Sequence, residues 1–395
     1  MAILGVGGLA GCLADDEDPS PEDDGDDDTD HEPPADDTDE EFSYDVSEVV
    51  TGLAHPWGIT FLPDGDECLV TEREGTLQRV NVDEGSMQEL DGLPDVQAEG
   101  QGGLLDVALH PAFPDDPFVY LTYVSEDEGG SATTFGRGQL NGDRLDDFEE
   151  LYVVEPYLGS TGHFGSRVQF DEDGYVFVTT GDRQSKDFGD DHISQDPSNG
   201  YGSILRFTAD GEIPDDNPFL GDEDGLDATY AYGIRNTQGM ARHPQTDDLW
   251  FSDHGEQDGD EINILERGGN FGWPIATYGC TYTGGDPIGA MPDERDDVVA
   301  PVYFWECNSG GFPPAGMTFY EGEAFPSLQG DLLLGNLAGQ YLGRFAVDGR
   351  DVTEVDPLLP DQGWRIRDVT LGPADDTIYV LVDDSSAPLV RLSPT

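Results

Sequence analysis

Residues 167–182, RVQFDEDGYVFVTTGD, read as a β-hairpin: an apolar strand, a turn rich in Asp and Gly, and a second apolar strand. The same arrangement recurs along the chain. The copies are GITFLPDGDECLVTE (58–72), DVALHPAFPDDPFVYLTYV (106–124), RVQFDEDGYVFVTTGD (167–182), GMARHPQTDDLWFSDHG (239–255), GMTFYEGEAFPSLQGDLLLGN (316–336) and DVTLGPADDTIYVLVDD (368–384). Hairpins repeated at this spacing are typical of propeller blades.

Segments that are apolar on both faces, such as YVFVTT (175–180), indicate sheets that are covered on both sides by neighbouring sheets. Radial stacking of blades provides such cover. We therefore predict an all-β fold, a six-bladed β-propeller with four-stranded antiparallel blades, over residues 46–395. A pair of β-sandwiches is the alternative, but it would not produce six similar hairpins.

The composition is strongly acidic. The 395 residues include 85 Asp and Glu against 17 Lys and Arg, which gives a formal net charge of -68. Such a charge would cause self-repulsion in ordinary buffer, but molar salt shortens the screening length to roughly 3 Å. The composition is therefore typical of proteins from extremely halophilic archaea. It also excludes nucleic-acid binding, since no basic surface is available to meet phosphates.

The N-terminus divides into two segments. Residues 1–12, MAILGVGGLAGC, are small and apolar, and LAGC resembles a lipobox, in which the cysteine is the lipidated first residue of the mature chain. We read this segment as a truncated signal and Cys12 as a lipid anchor. Residues 13–45 are too acidic and too poor in apolar residues to fold, so we expect a disordered tether. An unanchored disordered tail is the alternative. The protein is then extracytoplasmic, either secreted or anchored to the outer face of the cell membrane.

Three cysteines remain after Cys12, and they allow at most one intramolecular disulfide. Cys280 and Cys307 bracket a loop rich in Gly, Pro and Asp, whereas Cys68 lies in a predicted strand. In an oxidising compartment, Cys280 and Cys307 are the plausible pair.

Several loops carry polar residues that a strand would not favour. They are GQGGLLD (100–106), GHFGS (162–166), YGIRNTQG (232–239), SDHGEQDGDEIN (252–263) and GWRIRDV (363–369). His163 lies between glycines, so a flat ligand can approach its ring closely. Arg365 and Arg367 are two residues apart, on one side of an extended segment. They can bind a polyanion through forked hydrogen bonds or pair with neighbouring aspartates.

Taken in order, seven segments resemble the soluble quinoprotein sugar dehydrogenases, the glucose/sorbosone dehydrogenase family, and most closely its aldose sugar dehydrogenase branch. The segments are HPWGITFLPDG (55–65), GQGGLLDVALHP (100–111), HFGSRVQFDEDGYVFVTTGD (163–182), GEIPDDNPF (211–219), GIRNTQGM (233–240), HGEQDGDEINILERGGNFGWP (254–274) and WRIRDV (364–369). The resemblance covers the chain from Val46 to its end and implies pyrroloquinoline quinone (PQQ) and Ca²⁺ as cofactors.

The resemblance also implies roles for individual residues. His163 matches the base that takes the proton from the anomeric hydroxyl of the sugar, which suits an imidazole that is neutral at working pH. Gln101 matches a residue that orients substrate and cofactor. Arg235 and Asn236 match cofactor contacts, and Arg235 would stabilise negative charge that develops during the reaction. Arg365 and Arg367 match groups that hold the cofactor carboxylates.

Four further residues match calcium-binding positions of the family. Gly255 and Glu256 match positions whose backbone carbonyls hold the calcium ion next to the cofactor. Asp260 and Glu261 match positions that hold additional, structural calcium in some members. Oxygen ligands of both kinds are what this hard cation prefers.

The chain departs from the family pattern at two positions. A lysine that contacts the quinone is expected in the segment matching LLLGNLAGQ (332–340), where this chain has Ala338. The glucose dehydrogenase branch has an aspartate that orients the base immediately before the catalytic histidine, where this chain has Gly162. Ala338 indicates a general bias against lysine in this chain, weaker cofactor binding or a changed ligand, and Gly162 predicts a different environment for His163.

The resemblance therefore implies oxidation of aldose sugars to lactones with PQQ and calcium, followed by electron transfer to an unidentified acceptor. Two alternatives come from other classes. One is a binding propeller that has lost the cofactor, which Ala338 favours. The other is a calcium-dependent lactonase-type hydrolase, which would not need Arg365 and Arg367.

Overall fold

The structure is a computed structural model that describes residues 42–395. The predicted signal segment with its anchor Cys12, and the predicted tether up to residue 41, lie outside the described residues. The described part begins its first strand at Tyr44, two residues before the predicted start of the propeller at Val46. Within it, no helix has the length and apolar character needed to cross a bilayer.

The predicted all-β, six-bladed propeller is confirmed: the described residues form six four-stranded antiparallel sheets. Blade 1 contains β2 (Pro56–Phe61), β3 (Glu67–Glu72), β4 (Thr76–Asn81) and β5 (Ser86–Glu89). Blade 2 contains β6 (Leu104–Leu109), β7 (Phe118–Asp127), β8 (Gly130–Asn141) and β9 (Arg144–Val153). Blade 3 contains β10 (Val168–Phe170), β11 (Val176–Thr179), β12 (Ser203–Phe207) and β13 (Thr229–Tyr232).

The second half follows the same pattern with one insertion. Blade 4 contains β14 (Thr237–Arg242), β15 (Leu249–Asp253), β16 (Glu261–Ile264) and β19 (Tyr303–Phe304), and the two-stranded sheet of β17 (Ala276–Cys280) and β18 (Pro287–Gly289) is inserted before β19. Blade 5 contains β20 (Pro314–Phe319), β21 (Leu332–Asn336), β22 (Leu342–Asp348) and β23 (Asp351–Leu358). Three short 3₁₀ helices, Ile193–Gln195, Pro292–Glu294 and Pro326–Leu328, lie in connecting loops of the described residues.

Blade 6 closes the ring by combining the two ends of the described chain. It contains β24 (Ile366–Leu371), β25 (Ile378–Val382) and β26 (Ala387–Pro394), and its fourth strand is β1 (Tyr44–Leu53), the first strand of the described residues. β1 pairs antiparallel with β26 from Tyr44 opposite Pro394 to Leu53 opposite Ala387. This pairing ties the start of the propeller to its end.

Alternate residues of one strand pack against different neighbouring blades. In β11, Val176 and Val178 belong to an apolar cluster shared with blade 2, and Phe177 belongs to a cluster shared with blade 4. This explains why the sequence of β11 is apolar on both faces. Burial of a side chain such as Phe177, which is 3% exposed, contributes roughly 1.5–3 kcal/mol. The core therefore lies between the blades, as the sequence predicts.

The first strands of the blades surround a central channel. Within it, the guanidinium of Arg167 lies between two buried carboxylates. Its Nη1 is 2.9 Å from Asp106 Oδ1 and 3.0 Å from Asp368 Oδ2. Burial raises the pKa of Asp106 to about 7, with Arg167 opposing the shift and Asp368 adding to it. Arg167 also lies over the ring of Trp57, with its Cζ 4.7 Å from the ring centre.

The disulfide prediction is confirmed. Cys280, at the end of β17, is bonded to Cys307, with a Cα–Cα distance of 5.6 Å. The bond joins the inserted hairpin to the loop that precedes blade 5. Cys68 is free and buried, and burial raises the pKa of its thiol far above its usual range, so it is unreactive.

Candidate active site

A cavity of about 450 Å³ opens at one end of the propeller. Its walls come from the loops that enter the first strand of a blade and from those that connect the second and third strands. Residues from every blade of the ring reach it: Trp57 and Arg73, Gln101, His163, Arg235 and Glu256, Leu337, and Arg365 and Asp383. A site of this kind binds its ligand next to the axis, where loops that are far apart in sequence converge.

His163 is buried in the wall of the cavity, 7% exposed. Its Nδ1 lies 2.6 Å from Oδ1 of Asp182, a residue that follows β11. We assign the ring proton to Nδ1, because the carboxylate accepts it, which leaves Nε2 as the basic nitrogen. Burial lowers the pKa of His163 below its ordinary value near 6.5, and Asp182 opposes this shift. The histidine is therefore neutral at neutral pH.

Asp182 is held in place from several sides. Its Oδ2 accepts a hydrogen bond from Trp273 Nε1 at 2.9 Å, and its Oδ1 also accepts one from the backbone N–H of Gln184 at 2.8 Å. Burial alone would raise the pKa of Asp182, but the hydrogen bond from His163 holds it below its usual range. The carboxylate is therefore charged and oriented, and it fixes both the tautomer and the direction of the imidazole.

Side chains from other blades fix the backbone around His163. His163 has a φ of 52°, and Gly165, two residues later, has a φ of 64°. Both angles lie in the left-handed region, which non-glycine residues rarely adopt. The backbone N–H of His163 donates to Gln101 Oε1 at 2.8 Å, and that of Gly165 donates to Asn236 Oδ1 at 3.1 Å. Arg183 Nε donates to the carbonyl of Gly162 at 3.1 Å. Gln101 and Asn236 thus orient the base through its backbone.

Arg235 is a buried cation of the cavity wall. Its Nη2 donates to Glu256 Oε2 at 2.6 Å, while its backbone N–H donates to Asp253 Oδ2 at 2.8 Å. Glu256 also accepts two hydrogen bonds from Lys186. Burial alone would raise the pKa of Glu256, but the contacts with Lys186 and Arg235 hold it below its usual range. The carboxylate is therefore charged.

Arg365 and Arg367 lie on the same side of their segment, as the two-residue spacing predicts. Both donate to Oδ2 of Asp383, at 3.0 and 2.8 Å. Arg367 Nη1 also donates to Gln238 Oε1 at 2.7 Å. The two arginines keep the pKa of Asp383 far below its usual range, although burial alone would raise it. Two cations share one carboxylate, so the group retains one net positive charge.

The cavity fits a planar polyanion such as PQQ. Of the described residues, four arginines line it: Arg73, Arg235, Arg365 and Arg367. The Nε atoms of Arg235 and Arg367 are buried and have no hydrogen-bond partner within residues 42–395, and the same is true of Nε2 of His254. Burial, followed by the charge of Arg235, keeps the pKa of His254 well below its ordinary value. The described protein groups thus leave these polar atoms beside the cavity unsatisfied.

The predicted calcium residues lie close together in sequence, but not all of them line the cavity. Gly255, Glu256 and Asp260 line the cavity, whereas Glu261 lies in β16 outside the lining. Asp260 accepts hydrogen bonds from the backbone N–H groups of Gly255, at 3.0 Å, and Phe312, at 2.8 Å. Burial, and then the charge of Asp253, raises the pKa of Glu261 to about 8.

These contacts bear on how a calcium ion could be held. Within the described range, no group of three or more His, Cys, Asp or Glu side chains is arranged to hold a metal ion. Gly255 and Glu256 line the cavity, and ligation of the ion next to the cofactor by their backbone carbonyls stays a prediction. Side-chain calcium ligation by Asp260 and Glu261 stays a prediction.

The structure shows the surroundings of the two departures from the family pattern. A Cβ atom on Gly162 would lie 2.5 Å from the end of the Gln184 side chain, which would have to move to admit an aspartate. Asp182 orients His163 instead. Ala338 lies exposed in a turn where the Asn336 side chain accepts from its N–H at 3.1 Å. The neighbouring Leu337 lines the cavity and accepts a hydrogen bond from Arg365 at 2.9 Å.

Nine of the ten predicted site residues therefore lie around one cavity, and Glu261 is the exception. Sequence reasoning missed Asp182, Trp273, Asp383 and Arg73. Asp182 is the last residue of the repeated segment 167–182, and Asp383 is the last but one of the corresponding segment 368–384. A carboxylate at the end of the second strand of a blade was therefore a signal that could have identified both.

Three comparisons describe which known proteins the chain resembles. The family model described as "Glucose / Sorbosone dehydrogenase" matches residues 53–391. The chain is 40% identical over 349 residues to the aldose sugar dehydrogenase YliI of Escherichia coli (strain K12), which covers 87% of this chain and 91% of that protein. The crystal structure of the soluble aldose sugar dehydrogenase from Escherichia coli in the apo-form has a TM-score of 0.83 at 38% identity and covers 89% of this chain and 100% of that one. The PQQ-bound form of aldose sugar dehydrogenase from Streptomyces coelicolor has a TM-score of 0.71 at 27% identity and covers 89% of this chain and 98% of that one.

Proposed function

Because this chain belongs to the glucose/sorbosone dehydrogenase family, we propose that it oxidises aldose sugars at the anomeric carbon to lactones, with PQQ and Ca²⁺ as cofactors. The observation that carries the proposal is the pair of His163 and Asp182, at 2.6 Å, on the wall of a cavity lined by arginines. A buried neutral base beside a polyanion site is what this oxidation requires.

PQQ, when bound, supplies the two-electron acceptor for the hydride of the anomeric carbon. The chain supplies the base. Nε2 of His163 takes the proton of the anomeric hydroxyl, and Asp182 at Nδ1 stabilises the resulting imidazolium. Gln101 and Asn236 keep the base in position by accepting the backbone hydrogen bonds of its loop.

The arginines supply binding and electrostatic stabilisation. Arg365 and Arg367 would hold the cofactor carboxylates through charge-assisted hydrogen bonds. Arg235, which is buried, stabilises negative charge that develops near it during the reaction. The carbonyls of Gly255 and Glu256 would hold the calcium ion. An external electron acceptor, whose identity the fold does not specify, must complete the turnover.

We place the activity outside the cytoplasm and in high salt. The Cys280–Cys307 disulfide supports an oxidising compartment. The net charge of -68 supports a working range of molar salt, where self-repulsion is screened. Loss of activity on transfer to 0.1 M KCl, with recovery in multimolar KCl, would support this part of the proposal; full activity at both would contradict it.

The test is a titration of the metal-free apo-protein with PQQ in multimolar KCl, with added Ca²⁺ or with EGTA, followed by absorbance. We expect saturable binding in the presence of Ca²⁺, weaker binding with EGTA, and a spectral change when an aldose is added. His163→Gln should bind PQQ and show no change with the sugar. Asp348→Asn, exposed at the end of β22 in blade 5, serves as the control and should behave like the parent protein.

The alternatives give different results in the same experiment. A binding propeller that has lost the cofactor would bind no PQQ. Lactone hydrolysis that requires Ca²⁺ and survives in Arg367→Gln would indicate the hydrolase. Absence of PQQ binding well above micromolar concentrations would overturn the proposed function.

A further inference from the structure

The chain contains one lysine, Lys186, among 17 basic residues. It lies in the loop between β11 and β12, which also carries the base-orienting Asp182. Its Nζ is 2.5 and 2.6 Å from the two carboxylate oxygens of Glu256. The Lys186 side chain is 55% exposed, whereas that of Glu256 is 5% exposed. The lysine therefore covers a buried carboxylate of the cavity wall from the solvent side.

Glu256 is shared between two cations. Arg235 donates to its Oε2 at 2.6 Å, and Lys186 contacts both oxygens. One negative charge thus faces two positive charges, and the three groups together carry one net positive charge. If Lys186 were absent, Glu256 would pair with Arg235 alone and the pair would be neutral.

The net positive charge of the group formed by Arg235, Lys186 and Glu256 matters because of the other charges on the cavity wall. Among the described residues that line the cavity, the four arginines are matched by four carboxylates: Glu256, Asp258, Asp260 and Asp383. The lining alone is therefore formally neutral. Lys186 adjoins the lining through Glu256 and adds the positive charge that an anionic ligand requires.

We propose, on the basis of the proposed function, that Lys186 is a positioning residue for the anionic cofactor: it shares Glu256 so that Arg235 keeps positive charge available to the ligand. The family pattern leads one to expect a lysine at Ala338, in blade 5. This chain instead has its single lysine in blade 3, at the edge of the same cavity.

Aromatic side chains fix the position of Lys186. Its Nζ lies 5.9 Å from the ring centre of Phe188 and 5.8 Å from that of Tyr282. Phe188 packs edge-on against Trp273 at 5.7 Å, and Trp273 donates to Asp182. Two rings near the ammonium group favour the bound position over free solvent. The loop that carries the lysine is thus connected to the residues that orient His163.

The test measures the dissociation constant of PQQ with Ca²⁺ in multimolar KCl for the parent protein, Lys186→Gln and Lys186→Arg. Arg350→Gln is the matched control, because Arg350 is 60% exposed in the turn between β22 and β23 and its removal changes the net charge equally. We expect Lys186→Gln to raise the dissociation constant about tenfold, because Glu256 then neutralises Arg235 and the wall loses one positive charge near the ligand. Lys186→Arg should recover most of the affinity, and Arg350→Gln should match the parent.

A second measurement removes the positive charge of Lys186 from the folded protein by chemical modification. An acylating reagent modifies the amine of Lys186, the only lysine side chain available, and the treated Lys186→Arg protein shows what modification of the N-terminal amine contributes. Acylated parent protein should bind PQQ as weakly as Lys186→Gln. Parental affinity in both Lys186→Gln and the acylated protein would overturn this inference and leave the proposed function intact. Failure of the unmodified parent to bind PQQ would overturn both.

Discussion

Replacing Asp182 with Asn tests the central pair of the site. The two oxygens of Asp182 accept three hydrogen bonds from donors: His163 Nδ1 at 2.6 Å, the backbone N–H of Gln184 at 2.8 Å, and Trp273 Nε1 at 2.9 Å. An amide has only one accepting oxygen. Its NH₂ group must therefore face the indole N–H of Trp273 or the backbone N–H of Gln184, and neither can accept a hydrogen bond.

Two losses follow from this geometry. The charge-assisted hydrogen bond to His163 contributes about 1.5–3 kcal/mol, which corresponds to a rate loss of roughly 10- to 150-fold if it acts on the protonated base. If the amide instead turns its NH₂ group toward His163, the imidazole is forced into the tautomer with the proton on Nε2, and the loss is larger. The buried donor left without a partner also costs about 1–3 kcal/mol of folding stability.

The assay is single-turnover reduction of PQQ-loaded Asp182→Asn by an aldose, measured from pH 4 to 8, with PQQ affinity determined separately. The parent rate should fall as pH drops through the pKa of His163, which burial places below about 6.5. Asp182 opposes that shift, so in Asp182→Asn the pKa falls further and the acid limb moves to lower pH. A parental rate with an unchanged acid limb would refute the assigned role of Asp182.

Three further outcomes are expected. Arg367→Gln should weaken PQQ binding about tenfold or more, and Arg365→Gln should weaken it less. The reason is that the Arg367 side chain is 8% exposed and the Arg365 side chain is 46% exposed. Equal losses of affinity in the two titrations would contradict this prediction. Replacing Cys280 and Cys307 with Ser should lower the free energy of unfolding by about 3.5 kcal/mol for the 27-residue separation, measured in denaturant against the parent with and without reductant. Burial raises the pKa of Asp106 to about 7, so the folded state binds more protons than the unfolded state between about pH 4 and 7, and parent stability falls as pH rises through that range. In Asp106→Asn, the fall of the thermal midpoint with rising pH should disappear. A fall as steep as in the parent protein would contradict the raised pKa of Asp106.

The blades could be predicted from sequence because each repeat is a local hairpin. Residues 167–182 contain both strands and their turn, so the alternation of apolar residues is visible within one short segment. Closure of the ring could not be read in this way, since β1 pairs with β26 more than 300 residues away. The inserted hairpin of β17 and β18 also escaped prediction, because it has no counterpart in the repeats.

The site was predictable where a side chain has an unusual local setting or a family match. His163 lies among glycines, and Arg365 and Arg367 stand two apart in a chain poor in cations. Asp182 and Asp383 escaped because aspartates are frequent throughout this acidic sequence. Their importance depends on contacts across the fold: Asp182 meets His163, 19 residues earlier, and Trp273, 91 residues later. An acidic background conceals functional carboxylates while it makes cations conspicuous.

The same arrangement of charges occurs twice around the cavity. Asp383 is shared by Arg365 and Arg367, and Glu256 is shared by Arg235 and Lys186. In each group one carboxylate orients two cations, satisfies part of their hydrogen-bonding capacity and leaves one net positive charge. Contacts of 2.5–3.0 Å are no longer than the screening length of roughly 3 Å in 1 M salt, so both groups persist where longer-range attraction is lost. A chain with a net charge of -68 can therefore bind an anion by placing its few cations in pairs at the ligand itself, because a general positive field would require a composition that the sequence does not have.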